Sequence, residues 1–175
     1  MTDTFHPQPD WQTWRPNQRA TLMFFQRAGE VLLIRKKRGL GAGKITAPGG
    51  KLEPMETAMA CAIRETAEEV GLMVSEAGQI ARLKYQFTDG LALQVEVFTS
   101  HAATGRLRET SEGTPLWFPK TELPYQEMWA DDIFWLPRAF AGERLCGHFL
   151  FEDDRILSHD IHAVNAAVLE DPDAY

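Results

Sequence analysis

Residues 36–51 read KKRGLGAGKITAPGGK, five glycines and one proline in sixteen positions. No long helix can run through such a stretch. Glycine there loses the most conformational freedom, and proline withdraws an amide donor. It therefore separates two different kinds of segment. Before it, ATLMFF and EVLLIR flank Gln26-Arg27-Ala28-Gly29, and aromatic and branched residues around a glycine turn predict a β-hairpin. After it, residues 56–70 carry Ala60, Ile63, Ala67 and Val70 at helical spacing. That spacing predicts one helix with these four as its buried stripe, stopped at Gly71.

Further along, IARLKYQF and LALQVEVFTS alternate as paired strands do. In the second, Leu91, Leu93, Val95 and Val97 share one face and Gln94 and Glu96 the other. PLWFPKTELP reads as a short edge strand and a turn, since its prolines cannot donate to a central ladder. Short helical turns are expected within 127–140, a last strand in GHFLFEDD, and a terminal helix over 158–170. The order is a mixed sheet interrupted by one strong helix. This predicts a single α/β or α+β layer structure, with a mixed sheet sandwiched between helices. Residues 1–18, with three prolines, read as an irregular arm whose Trp11 and Trp14 pack on the domain, covering a partner surface being the alternative. Residues 19–170 form the domain and 171–175 a tail.

Apolar residues make up 44% of the 175, enough for a packed interior, and the formal net charge is −7. That charge argues against a surface gripping nucleic acid through many phosphates. It is compatible with one phosphorylated small molecule whose charge a cation offsets. Cys61 and Cys146 read as reduced packing residues, because two cysteines make no disulfide framework. No stretch approaches a membrane span, and the polar start does not read as a secretory signal. A cytoplasmic protein, monomeric or dimeric, with no membrane partner is expected.

The chemistry concentrates on the helix. Arg64, Glu65, Glu68 and Glu69 lie within two turns, and residues three and four apart face one side. Carboxylates so crowded repel unless solvent, Arg64 or a cation offsets them. Magnesium, a hard cation taking oxygen ligands, is a specific reason to gather them; a merely solvated acidic face is the alternative. Gly49 and Gly50 let backbone approach a ligand closely, with Lys51 beside them. Lys36, Lys37 and Arg38 form a positive cluster suited to a phosphate chain. The arrangement is not a P-loop, since no GxxxxGK[ST] occurs.

The spacing G50-x5-E56-x7-R64-E65-T66-x-E68-E69-x-G71-L72 resembles the box of the Nudix hydrolases. Thr66 departs from it, standing where that family has a bulky aliphatic residue. KKRGLGAGK before the box, ELPYQEMWADDIFWLP after it and, more weakly, GHFLFEDDRILSHDI resemble the family's oxidised-purine nucleoside triphosphatase branch, so the likeness covers 21–164. The resemblance implies a magnesium-dependent hydrolase, with manganese as an alternative metal. It would cleave a purine nucleoside triphosphate such as 8-oxo-dGTP or 2-hydroxy-dATP to monophosphate and pyrophosphate. It assigns metal ligation to Glu65 and Glu69, with Glu68 in the same set and the Gly49 carbonyl and Glu112 as further candidates. Glu69 is the first nominee for general base. Gly50, Glu56 and Gly71 support the box, and Arg64 holds a carboxylate.

For the base, the resemblance points to Trp129 stacking on the ring and to Asp131 and Asp132 reading its edge. Thr21, Lys36, Leu40, Ile45 and Thr46 complete the substrate set. Leu40, Ile45 and Thr46 replace a phenylalanine, a tryptophan and an asparagine, so the metal apparatus is better kept than the base-reading surface. A nucleoside diphosphate derivative, a dinucleoside polyphosphate or a capped nucleic-acid end remain alternative substrates. A non-catalytic nucleotide-binding module and an interaction module remain alternative functions.

Overall fold

The computed structural model describes residues 6–175; the first five residues of the expected arm lie outside the described residues. Strands β1 (Gln18–Arg27) and β2 (Glu30–Lys36) form the expected hairpin, closing on Ala28 and Gly29. The glycine stretch follows, containing only the short strands β3 (Ile45–Thr46) and β4 (Gly49–Lys51). Helix α1 runs Ala58–Val70. The Thr57 hydroxyl accepts the Ala60 amide at its start, and Gly71, at φ 81°, ends it. Then come β5 (Leu72–Ser75), β6 (Gly78–Phe87), β7 (Ala92–Ser100), β8 (Ala102–Gly105) and β9 (Gly113–Pro119). A single 3-10 turn (Tyr125–Glu127) leads into α2 (Asp132–Phe140), followed by β10 (Arg144–Glu152), β11 (Arg155–Val164) and α3 (Ala166–Glu170).

The main sheet has the order β11-β10-β6-β7-β1-β2-β3, with β4 added to β1 and β9 to β2. β1 lies parallel to β7, and β6 parallel to β10, while the other pairings are antiparallel. β5 and β8 make a separate pair. β9 bonds only to β2, the edge position its prolines require. This is the mixed sheet between helices that the segment order predicts.

Strand alternation divides the core into two layers. Met23, Phe25, Leu32 and Ile34 pack beneath α1 with Ala62 and Val70. Phe24, Val31 and Leu33 point the other way, joining Leu83, Phe149 and Trp135 of α2.

Two expectations need correction. The buried face of α1 is Cys61, Ala62, Thr66, Glu69 and Val70, while Ala60 is exposed and Ile63 and Ala67 are only half-buried. The stripe is rotated because the helix leans on β1 and β4 as well as on the apolar layer. Thr66 suits this position: fully buried, its hydroxyl donates to the Ala62 carbonyl at 2.7 Å. The terminal helix expected over 158–170 is mostly strand. β11 pairs with β10 along its whole length after a turn at Asp153-Asp154, and only 166–170 is helical. The sheet partner overrides local propensity there.

The face of β7 that carries Gln94 and Glu96 is covered. Glu96 meets Arg82 there, the arginine Nε lying 3.0 and 3.1 Å from its two oxygens. Gln94 and Gln79 donate to the same carboxylate. Arg82 spends its remaining donors on the carbonyls of Leu169, Asp171 and Ala174, docking the last residues onto the sheet. Trp14 is buried beside them and Trp11 stacks on His148 at 4.3 Å, so the arm packs as expected. Cys61 and Cys146 are both free and buried. Among the described residues no helix is long and apolar enough to cross a membrane.

Removing Arg82 would leave the buried Glu96 carboxylate with only the half-exposed Arg19, 3.7 Å away, as an ion-pair partner among the described residues. Arg82→Ala should lower unfolding stability by about 3–5 kcal/mol, measured by urea denaturation. A loss below about 1 kcal/mol, the value of an ordinary surface pair, would contradict this assignment.

Candidate active site

The glycine loop and α1 meet where β4 joins β1. Gly49 lies so close to β1 that a Cβ there would sit 1.9 Å from the Thr21 carbonyl oxygen. At Gly50 a Cβ would come within 2.4–2.6 Å of the Glu65 carboxyl group. Only glycine lets that carboxylate rest on the loop backbone. The Gly49 amide donates to Glu69 Oε2 at 3.1 Å.

Arg64 organises the outer half of the cluster. Its Nε and Nη2 donate to the two Glu56 oxygens at 2.7 and 3.0 Å, a bidentate pair. Its Nη1 reaches Glu65 at 2.8 Å and Glu68 at 3.2 Å. The guanidinium bonds hold Glu56 down at about 2, helped by the Glu53 amide. Glu69 is opposite in character. Burial raises it to about 7 against the Gly49 amide, with Glu65 reinforcing the rise and Lys36 opposing it.

These groups open into a cavity of about 540 Å³. Its polar end is lined by Gly49, Gly50, Glu65, Glu69, Glu112, Lys36, Arg38 and Lys51. Its other end is lined by Trp129, Asp131 and Asp132, with Thr46 and Leu40 at the side. Most of the residues named from sequence thus come together in one space. Three do not fit as expected. The Glu68 side chain is 58% exposed, does not line this cavity and is turned toward Arg64. Ile45 is buried in the apolar core. Thr21 lines the wall, but its hydroxyl is directed at the Cys61 sulfur, 3.4 Å away. Of the basic run, Lys37 pairs with Glu109 at 2.6 Å and Arg38 pairs with Glu112, while Lys36 stays close enough to feel Glu69 and Glu65.

Among the described residues no three His, Cys, Asp or Glu side chains form a ready-made metal cluster. The reason is visible: Arg64 draws Glu65 and Glu68 outward, and Glu69 turns to an amide. The donor chemistry nevertheless fits a hard divalent cation. Glu65, Glu69 and Glu112 present carboxylate oxygens to one cavity, and the Gly50 backbone leaves room for the first of them.

Sequence reasoning missed the apolar floor at the base end. Tyr85, Phe87, Leu91 and Leu93 line it with Ala20 and Leu22. The alternation of LALQVEVFTS marks Leu91, Leu93 and Val95 as one face, but nothing local reveals that this face lies open beneath a cavity. Phe87 and Phe151 brace Trp129 edge-on, at 6.1 and 5.9 Å between ring centroids. Gly41, at φ 77°, packs its backbone on the indole, where a Cβ would stand 2.8 Å from Nε1. This glycine therefore shapes the base end of the cavity.

Asp131 and Asp132 are both buried, and burial raises both above the ordinary carboxyl range, Asp132 the further because Asp131 lies beside it.

The NUDIX domain family model matches residues 16–139. An oxidized purine nucleoside triphosphate hydrolase of Danio rerio is 38% identical over 146 residues, spanning 82% of this chain and 94% of that protein. Its namesake from Mus musculus is 35% identical over 148 residues, covering 83% and 95%. The crystal structure of a MutT protein from Bacillus halodurans superposes with a TM-score of 0.74 at 26% identity, covering 82% and 97%. That of a MutT NUDIX hydrolase from Burkholderia pseudomallei gives 0.62 at 27%, covering 69% and 95%.

The folded state binds the Asp132 proton more tightly than the unfolded chain does. Its stabilising contribution is therefore complete below the unfolded value near 3.8 and is lost as pH rises through the folded one. Asp132→Asn should accordingly gain thermal stability relative to wild type as pH rises from about 5 to 8.5. A melting-temperature difference that stays flat or falls over that range would contradict the raised carboxyl.

Proposed function

This chain belongs to the NUDIX family, and on that premise we propose that it hydrolyses oxidised purine nucleoside triphosphates, such as 8-oxo-dGTP or 2-hydroxy-dATP, to the monophosphate and pyrophosphate. The observation that carries this reading is a single cavity with carboxylates and cations at one end and an indole beside two buried carboxyls at the other. A nucleotide needs such different surroundings for its base and its phosphates.

Glu65 and Glu69 would hold magnesium, or manganese in its place, with Glu112 and the Gly49 carbonyl as further oxygen donors and Glu68 joining from the same helix. When bound, the cation screens phosphate charge against an incoming nucleophile and acidifies its water. This chain's own residues supply the rest. Glu69 is nominated as the general base, its carboxylate standing at the inner end of the cluster beside the place of the cation. Lys36 attracts the phosphate chain, and Glu56 fixes Arg64, which fixes Glu65. Trp129 offers an aromatic wall to the purine, Asp131 and Asp132 read its edge, and Thr46 and Leu40 border it. No covalent intermediate is needed: both cysteine thiols are buried and raised to about 11, so neither is a nucleophile at neutral pH.

The same reading makes 19–170 the hydrolase unit. Its partner is a small nucleotide rather than a nucleic acid or a membrane, and it works in the cytoplasm as a monomer or dimer.

The test is a panel of ordinary and oxidised purine triphosphates, nucleoside diphosphate derivatives, dinucleoside polyphosphates and capped RNA, each given magnesium and followed to identified products. An oxidised purine triphosphate should be among the fastest substrates, yielding monophosphate and pyrophosphate. Orthophosphate as primary product, or turnover confined to the other classes, would reject the reading. Glu69→Gln should lower kcat by about 100-fold or more with the fold retained; comparable activity would remove Glu69 from the chemistry.

A further inference from the structure

Two donors converge on one oxygen beside the base end of the cavity. The Tyr85 hydroxyl lies 2.7 Å from Asp131 Oδ2, and Trp135 Nε1 lies 2.9 Å from the same atom. Indole N–H can only donate, and a phenol beside an acceptor donates as well, so that oxygen receives two hydrogens. Such bonds strengthen when the acceptor is ionised. Trp135 stands one helical turn beyond Asp131. Tyr85 comes from β6, where stacking on Phe149 at 5.2 Å fixes its ring. Among the described residues Asp132 accepts no bond this close, although Trp135 also stands near enough to pull it down, and its own amide donates to the Trp129 carbonyl at 3.2 Å.

Resting on the hydrolase reading above, we propose that Tyr85 is a specificity-determining positioning residue: together with Trp135 it makes Asp131 the fixed acceptor of the pair and leaves Asp132 as the fixed donor toward the purine edge.

The consequence follows from base chemistry. A 6-oxo purine shows an acceptor at position 6 and a donor at N1; a 6-amino purine shows the reverse order. A carboxyl pair whose proton moves freely can serve both. A pair with its proton held on one side serves, for a base seated one way, only one of them. A site with buried polar groups rejects the mismatched edge because those groups are then left unpaired. The surroundings agree with this polarity. Burial raises both carboxyls and Trp135 pulls both back, but Tyr85 bonds to Asp131 alone and the neighbouring Asp131 charge pushes Asp132 further up. The other titratable or charged groups facing the pair are His159 toward Asp131, and Lys44 and Tyr125 toward Asp132.

The experiment compares kcat/KM for 8-oxo-dGTP, a 6-oxo purine, and 2-hydroxy-dATP, a 6-amino purine, in wild type and Tyr85→Phe from pH 6 to 9. Wild type should favour one of them by at least about tenfold, and Tyr85→Phe should bring that ratio at least about fivefold closer to one, chiefly through KM. Losing the phenol also destabilises the ionised pair, so both pH limbs that belong to it should move upward in the variant. A purely structural tyrosine would depress both substrates alike and leave the limbs in place. Should Tyr85→Phe fail to fold, the same asymmetry is read from the aspartates. Asp132→Asn, which keeps an N–H donor, should retain at least about tenfold more kcat/KM for the preferred substrate than Asp131→Asn. A wild-type ratio near one, an unchanged ratio or pH profile in Tyr85→Phe, or equal losses in the two asparagine variants would overturn the assignment of Tyr85. Wild type that hydrolyses neither triphosphate would instead overturn the hydrolase reading itself.

Discussion

The buried carboxylate of Glu69 against the amide of Gly49 is the contact on which the site's geometry rests. It joins a loop that has little internal structure to a helix anchored in the core. Glu65 on Gly50 repeats the join one helical turn earlier. Neither carboxylate would sit there for stability alone, since burying an acid among other acids is costly and the cost appears in the elevated proton affinity of Glu69. Arg64 offsets part of it by bonding to Glu56, Glu65 and Glu68 together. The arrangement is a strained electrostatic balance held by the fold around it, the condition expected where phosphate charge is to be handled.

The face of the sheet opposite the base end solves a different problem. Arg82 and Glu96 are buried as a pair, and the arginine also carries the carbonyls of the chain's last turn. This covers the polar face of β7 and engages β6, the strand that brings Tyr85 to Asp131. The buried ion pair on one face of the sheet and the Tyr85–Asp131 contact on the other thus share a strand.

Much of this was legible in the sequence because it is written locally. The glycine stretch, the capped glutamate helix and the Ala28-Gly29 hairpin each depend on neighbours within a few positions. The spacing of Gly50, Glu56, Arg64, Glu65 and Glu69 carried the polar end of the site. What failed to show depends on distant partners. Residues 158–164 look helical alone and become strand only because β10 offers a ladder. The alternation that puts Gln94 and Glu96 on one face of β7 gives no sign of Arg82 meeting Glu96 there, or of the late carbonyls that Arg82 holds. Glu68 is indistinguishable from Glu69 in sequence, yet a small rotation of α1 buries one and exposes the other. Tyr85 has no motif at all, and only the pairing of β6 with β10 and the placement of α2 give its hydroxyl a target.

The central claim, that the glycine loop and the inner glutamates form one cation-binding corner, is tested most directly by manganese titration followed through backbone amide resonances. Paramagnetic broadening should begin at residues 49–51 and 65–69, with Glu112 next, and should weaken sharply in Glu69→Gln. Broadening that starts instead at the exposed carboxylates of Glu53 and Glu68, or is unaltered by that substitution, would contradict it.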